Sequence, residues 1–323
     1  MRNRLRQGLA AVPTPLAGLA LGIASLGYSW HFVVPDKALI PAAAAILATA
    51  LLLLLSGKFA LYPKRLLQEL QHPVVGSVTP TFAMTLMVIT LSLQTALPRF
   101  AMTLWLLAIA IHLTFLVIFI YHRCQSFSLT DMVPSWFVPP VGIIVAAICY
   151  PTAAFQPLAH AIFWFGLVCY AALLPWMLYR LLGCSELPDN AKPTLAILAA
   201  PASVCLAGYL TVTDTPAPGF VALLTALSLL KTATIYRLGR RLLRLPFSPG
   251  YAAFTFPLVI GATAMFKLQA QCIAWGLDST VIQLSGILAS TQLTIATFVV
   301  GYVIVRYVYF YAITSRRLLA QAT

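Results

Sequence analysis

The chain has 323 residues, 61% of them apolar and 8% charged, with a net charge of +13. A soluble domain carries roughly 25% charged residues, so this chain cannot coat a water-facing surface and reads as an integral membrane protein. Its cations are scattered between long apolar runs and are not gathered on one folded basic face, which excludes a nucleic-acid binder.

A crossing helix needs about 20 apolar residues, and ten such runs follow one another. The first, Pro15–Phe32, is preceded by Arg2, Arg4 and Arg6. It is too long for a signal h-region and ends at Trp30-His31 with no small-residue cleavage site, so it reads as a retained helix. Next come Ala38–Ala60, Val78–Leu97, Phe100–Tyr121, Trp136–Ala153, Leu158–Leu181, Thr194–Thr213, Phe220–Leu238, Tyr251–Leu268 and Val281–Val305. The connections are short and leave no room for a separate soluble domain, so 1–323 is expected to be a single all-α transmembrane domain of ten helices. Uninterrupted apolar stretches such as residues 39–55 lack the alternation of barrel strands.

With the N-terminus inside, 17 lysines and arginines fall on the inner side, among them Arg237, Arg240, Arg241, Arg244, Arg316 and Arg317. Only Lys37, Arg99 and Lys267 fall outside. This asymmetry predicts cytoplasmic N- and C-termini in a cell (inner or plasma) membrane. Of six cysteines, none forms a C-x-x-C pair. They read as small packing residues, and neither a metal site nor a cofactor is expected.

Prolines recur in the odd-numbered runs, at Pro15, Pro80, Pro140, Pro201 and Pro257, about 60 residues apart. The chain therefore reads as five helical hairpins, each with one proline-bearing and one plain helix. Proline frees a backbone carbonyl, which lipid cannot satisfy. Five proline-bearing helices inside and five plain ones outside leave a hollow axis, a pore within one protomer.

Every acidic residue (Asp36, Glu69, Asp131, Glu186, Asp189, Asp214, Asp278) lies in or beside a loop. A pathway for cations or a carboxylate proton relay would place acids mid-membrane. A pore without them, opening on a basic face, suits anions. Ser25, Thr81, Thr85, Ser203 and Thr255 are candidate hydroxyls along the inner helices, and His112 and His160 read as packing or hydrogen-bonding residues. In Phe254-Thr255-Phe256-Pro257 the two rings project to nearly opposite faces, so one can enter the pore, and the proline is expected to bend the helix just beyond Phe256. An apolar ring there can close a narrow pore by dewetting.

Four stretches resemble the tellurite-resistance/dicarboxylate transporter family, which includes the bacterial TehA-like proteins and the plant slow-type anion channels. They are "TPLAGLALGIASLGYSW" with Gly18, Gly22 and Trp30; "QELQHPV" with His72-Pro73; "LAILAAPASVCLAGYL" with Pro201; and "AAFTFPLVIGATA". The resemblance implies five hairpins in quasi-five-fold order, a central pore in each protomer, a homotrimer, transport of small anions (chloride, nitrate or carboxylates), and Phe256 as the pore gate. Gly18, Gly22, Pro80, Thr81, Pro140, Pro201, Ser203, Thr255 and Pro257 are the pore-lining or kink candidates. The expected function is a gated anion channel or channel-like exporter. The alternative is a secondary transporter of mono- or dicarboxylates, with proton coupling open. No convergent set of catalytic residues points to an enzyme.

Overall fold

The computed structural model describes residues 6, 8–34 and 39–320, with side chains to residue 313. Arg2, Arg4, Asp36, Lys37 and the side chains of Arg316 and Arg317 lie outside the described residues. Among the described residues all regular structure is helical. The α-helices are α1 Leu16–Trp30, α2 Leu39–Leu61, α3 Pro63–Gln71, α4 Val75–Val78, α5 Thr81–Leu93, α6 Pro98–Gln125, α7 Val138–Val141 and α8 Ile144–Ile148. They continue with α9 Gln156–Gly183, α10 Ala200–Val212, α11 Pro218–Leu242, α12 Phe256–Ala274 and α13 Ser279–Ala320. Short 3-10 segments lead into several of them.

Eight helical segments are long and apolar enough to cross a bilayer among the described residues. They fall into two burial classes. In their most apolar stretches, Val75–Leu93, Lys192–Val212 and Pro249–Ala274 are 67%, 78% and 83% buried, whereas Leu39–Leu61, Pro98–Gln125, Ala153–Gly183, Pro218–Leu242 and Ser279–Ile313 are only 22% to 33% buried. The second class exposes large apolar side chains such as Ile46, Leu53, Val117 and Phe298. In water that surface would cost about 25 cal/mol per Å²; against lipid tails it costs nothing, which is the signature of a multi-pass membrane protein. The short α1 is mostly buried.

The fifth expected run departs from a single helix. Residues Pro134–Phe137 form a 3-10 turn, followed by the one-turn helices α7 and α8. Pro139 and Pro140 cannot donate to the preceding turn, and the chain re-enters helix only after a turn at Gly142-Ile143. Every residue from Met132 to Cys149 is buried. The expected loop before Pro80 is also partly helical. In α3, Pro63 sits in the first turn, where its missing N–H costs nothing, and Leu66 and Leu70 share one face.

Each buried segment packs on the long helix that follows it: α1 on α2, α5 on α6, α8 on α9, α10 on α11 and α12 on α13. The buried segments also touch one another, α1 with α5, α5 with α8, α8 with α10, α10 with α12, and α12 with α1. Outside the spans, Asp278 accepts the Thr280 backbone N–H at 2.8 Å just before α13. Hydrogen bonding by the Thr280 side chain and then its backbone holds the Asp278 carboxyl below its ordinary value.

Candidate functional site

Breaks in buried helices leave carbonyls that need partners, and the long helices supply many of them. The His112 Nε2 of α6 is 2.8 Å from the Pro139 carbonyl. Trp105 Nε1, from the same helix, donates to the Ala146 carbonyl at 3.0 Å. Both side chains are fully buried. Arg180 of α9 donates to the carbonyls of Ser185 at 2.7 Å and Thr130 at 3.1 Å. Arg123 of α6 holds the Gln71 carbonyl at the end of α3. These contacts brace the backbone, although His112 Nδ1 and the Nε atoms of Arg123 and Arg180 are buried with no hydrogen-bond partner among the described residues.

A second buried cluster ties α3 to the bundle. Lys58, 2% exposed in α2, donates to Glu69 Oε1 at 2.6 Å and to Thr14 Oγ1 at 3.1 Å. Thr14 Oγ1 in turn donates to Glu69 Oε2. The ion pair pins the face of α3 that leads to His72, whose Nδ1 accepts the backbone N–H groups of Val74 and Val75.

Above Val74 and Val75 lies a cavity of about 100 Å³. All five buried segments contribute to its wall, each through its N-terminal half: Pro15 and Gly18; Val75 and Thr81; Phe137 and Val141; Thr194 and Pro201; Gly250 and Phe256. The wall is apolar apart from Thr81, Asn190 and Thr194, and none of the carboxylates among the described residues lines it. Two of those hydroxyls give their protons to nearby carbonyls, Thr81 to Val78 at 2.7 Å and Thr194 to Ala191 at 2.6 Å. They therefore present acceptor lone pairs, not donors, to the cavity.

Of the residues singled out from sequence, Gly18, Thr81, Pro201, Phe256 and Pro257 are on this wall. Gly22, Pro80, Pro140, Ser203 and Thr255 are off it. Gly22 packs on Thr255: a Cβ at Gly22 would lie 2.4 Å from both Thr255 Cβ and Oγ1. Pro80 is the buried residue that opens α5. Pro140 is buried within α7, which packs on α9. Ser203 turns outward, its Oγ 2.7 Å from Ser228 Oγ of α11. Thr85 and Ser25 are buried off the wall as well, Thr85 donating to the Thr81 carbonyl at 2.7 Å.

The hinge beside Phe256 sits one residue earlier than the sequence suggests. The 3-10 segment Pro249–Phe254 ends at Thr255 (φ −82°, ψ −79°), and Pro257 lies in the first turn of α12. There its missing N–H is one that the helix start leaves unpaired anyway, so the proline begins the helix and does not kink it. Phe254 points away and meets Tyr251 edge-on at 5.4 Å, while Phe256 lines the cavity. Asn190, Thr194 and the Thr255 hinge were not legible as wall or hinge from sequence; the run Ser248-Pro249-Gly250 was the one local signal that a non-helical lead-in precedes Phe256.

The sequence matches the SLAC1 family, described as voltage-dependent anion channel, over residues 11–306. It is 31% identical over 150 residues to "Uncharacterized transporter MJ0762" of Methanocaldococcus jannaschii, covering 42% of this chain and 44% of that protein. It is 28% identical over 154 residues to "Uncharacterized transporter MJ0576" of the same organism, covering 43% and 44%. The matched region thus spans less than half the length of each of these relatives.

Proposed function

This chain belongs to the voltage-dependent anion channel family, and from that premise we propose that it passes small anions such as chloride, nitrate or carboxylates along an axis enclosed by its five proline-bearing segments, with Phe256 closing the path. In this reading ten segments cross the bilayer as five hairpins in quasi-five-fold order, both termini face the cytoplasm of a cell membrane, and the protomers form a homotrimer. The observation that carries it is an apolar cavity to which all five buried segments contribute, lined by none of the carboxylates among the described residues, with Phe256 on its wall.

Electrostatics favour anions at that cavity without a fixed cation on the wall. The starts of α1, α5, α10 and α12 contribute Pro15, Thr81, Pro201 and Phe256 to it, and the start of a helix of this length carries roughly half a positive charge. Four such ends favour an anion over a cation, and none of the carboxylates among the described residues lines the wall to offset them. The ring of Phe256 supplies the barrier, since an apolar constriction too narrow to hold water blocks an ion.

Reconstitution into liposomes with anion-substitution flux tests the reading. Wild type is expected to pass little anion and Phe256→Ala severalfold more, with potassium flux unchanged. Equal anion flux in both proteins at equal incorporation would sink the gate. Carboxylate transport by a carrier is the second reading, favoured by relatives named as transporters; flux that saturates with substrate and follows a proton gradient would select it.

A further inference from the structure

We propose that Arg237, Arg240, Arg241 and Arg244, at the C-terminal end of α11, form a docking surface for the phosphate headgroups of anionic phospholipids. This goes beyond the transport reading and does not depend on it.

The helix places these residues at headgroup depth. Its apolar body faces lipid, with Leu223 and Leu230 53% and 63% exposed. From Pro218 to Arg237 it rises about 28 Å at 1.5 Å per residue, close to the roughly 30 Å hydrocarbon core. Positions 237, 240, 241 and 244 are spaced i, i+3, i+4, i+7, which puts them on one face. Arg244 follows the last helical residue, and its N–H donates to the Arg241 carbonyl at 3.3 Å, so the turn continues the same sense. All four side chains are exposed.

Their charge has no internal use. The ion pairs among the described residues are Lys58 with Glu69 and Lys192 with Glu186 and Asp189. None of the four arginines pairs with a carboxylate. Other arginines have structural tasks: Arg123 and Arg180 bind carbonyls, and Arg306 lies over the Phe247 and Tyr302 rings. The carbonyls at a helix C-terminus account for one or two cations in the last turn, not four in eight residues. Topology signalling is served equally by lysine. A guanidinium, unlike an ammonium, takes a phosphate through two parallel hydrogen bonds, and basic clusters immediately beyond a membrane helix attract anionic lipid. The four exposed guanidiniums line none of the cavities described, which suits a sheet of phosphates better than one enclosed free ion.

The test compares the full-length wild type with R237K/R240K/R241K/R244K and R237Q/R240Q/R241Q/R244Q, delipidated in neutral detergent. Retention of phosphatidylglycerol over phosphatidylcholine is read by native mass spectrometry and by lipid-induced shifts in melting midpoint. Each cation near an anionic surface is worth about a fivefold preference, so the glutamine variant, which removes four, should lose roughly several hundredfold. The lysine variant, with charge and topology intact, should lose part of it through the missing bidentate contacts. Wild-type retention should fall as salt rises from about 0.05 M to about 0.5 M, because screening shortens the reach of exposed charges. An unchanged lipid preference in the glutamine variant would overturn the proposal, as would salt-independent retention. Displacement of the lipid by glycerol phosphate at equal concentration would also overturn it, by showing a site for free anions.

Discussion

The hydroxyl of Thr255 donates to the Gly18 carbonyl at 3.0 Å while also reaching the Ala252 carbonyl at 2.7 Å. One side chain thereby ties the hinge before α12 to the first turn of α1, 237 residues away. Phe256 is the next residue, so the direction of its ring is set by the contact between the first and ninth runs of the sequence. Thr255→Val keeps the shape and removes the proton. It is expected to lower stability by about 1–2 kcal/mol and to raise basal anion flux; Thr255→Ser should behave as wild type. Detergent-phase thermal unfolding and liposome flux, measured on both variants, check this.

Gly22 makes room for that hinge. A methyl group there meets Thr255 Cβ and Oγ1 at 2.4 Å and the Phe256 backbone nitrogen at 3.2 Å. Gly22→Ala must push α1 and α12 apart, at about 1–3 kcal/mol. Its expected result is altered anion flux together with a lower melting midpoint, whereas Gly219→Ala, with open space around it, should change neither.

The two phenylalanines flanking Thr255 should separate cleanly. Phe254 is 2% exposed and packs on Tyr251, so Phe254→Ala should cost about 3–5 kcal/mol. Phe256 faces the cavity, so Phe256→Ala should destabilise less and increase flux more. If Phe254→Ala opened the path and Phe256→Ala did not, the assignment of the two rings would be reversed.

His112→Phe tests the support of the broken segment. It leaves the Pro139 carbonyl without its partner at 2.8 Å, in a fully buried place, and an unsatisfied buried acceptor costs about 1–3 kcal/mol. Faster hydrogen exchange across residues 138–148 than in the rest of the protein is the expected signature; uniform exchange would contradict it.

Lys58 and Glu69 should behave as a unit. Lys58→Met leaves a carboxylate beside Thr14, and Glu69→Gln leaves a buried ammonium. Removing one partner of a buried pair costs about 3 kcal/mol or more, toward the lower end here because the Glu69 side chain is 26% exposed. Lys58→Met with Glu69→Leu should recover most of that loss. A thermodynamic cycle with no coupling would show that α3 is held by its leucines alone.

The membrane class and the inequality between buried and lipid-facing helices were legible because they are compositional: prolines recur through the buried set, while the lipid-facing set is richer in long apolar runs and carries Pro41 and Pro175 as exceptions. That only one of Phe254 and Phe256 could enter a pore followed from about 100° per residue; which of the two came from the family resemblance alone. Other features were hidden in physical terms. Pro139-Pro140 signalled a break, but the two one-turn helices exist only because Trp105 and His112, from another helix, receive their carbonyls. Lys58 lay near the end of the run Ala38–Ala60 with no sign of its partner, since Glu69 comes within reach only through the fold of α3. Lys267 lay at the outer end of the run Tyr251–Leu268, yet α12 continues past it to Ala274 and leaves it half-buried. Of the candidate hydroxyls, Thr81, Thr85 and Thr255 donate to backbone carbonyls, Ser203 also meets Ser228, and Ser25 Oγ is buried with no partner among the described residues, differences that no periodicity distinguishes.

The segment from Pro134 to Ile148 cannot hold its own shape, for its two helices are one turn each and isolated turns do not persist. Its template is α6, and α6 lies upstream in the chain. A polypeptide made N-terminus first therefore delivers the scaffold to the bilayer before the element that must be moulded on it. A circular permutant opened between residues 125 and 134, with the native ends joined by a linker, would make residues 134–148 before residues 98–125, and should slow assembly without greatly weakening the finished protein.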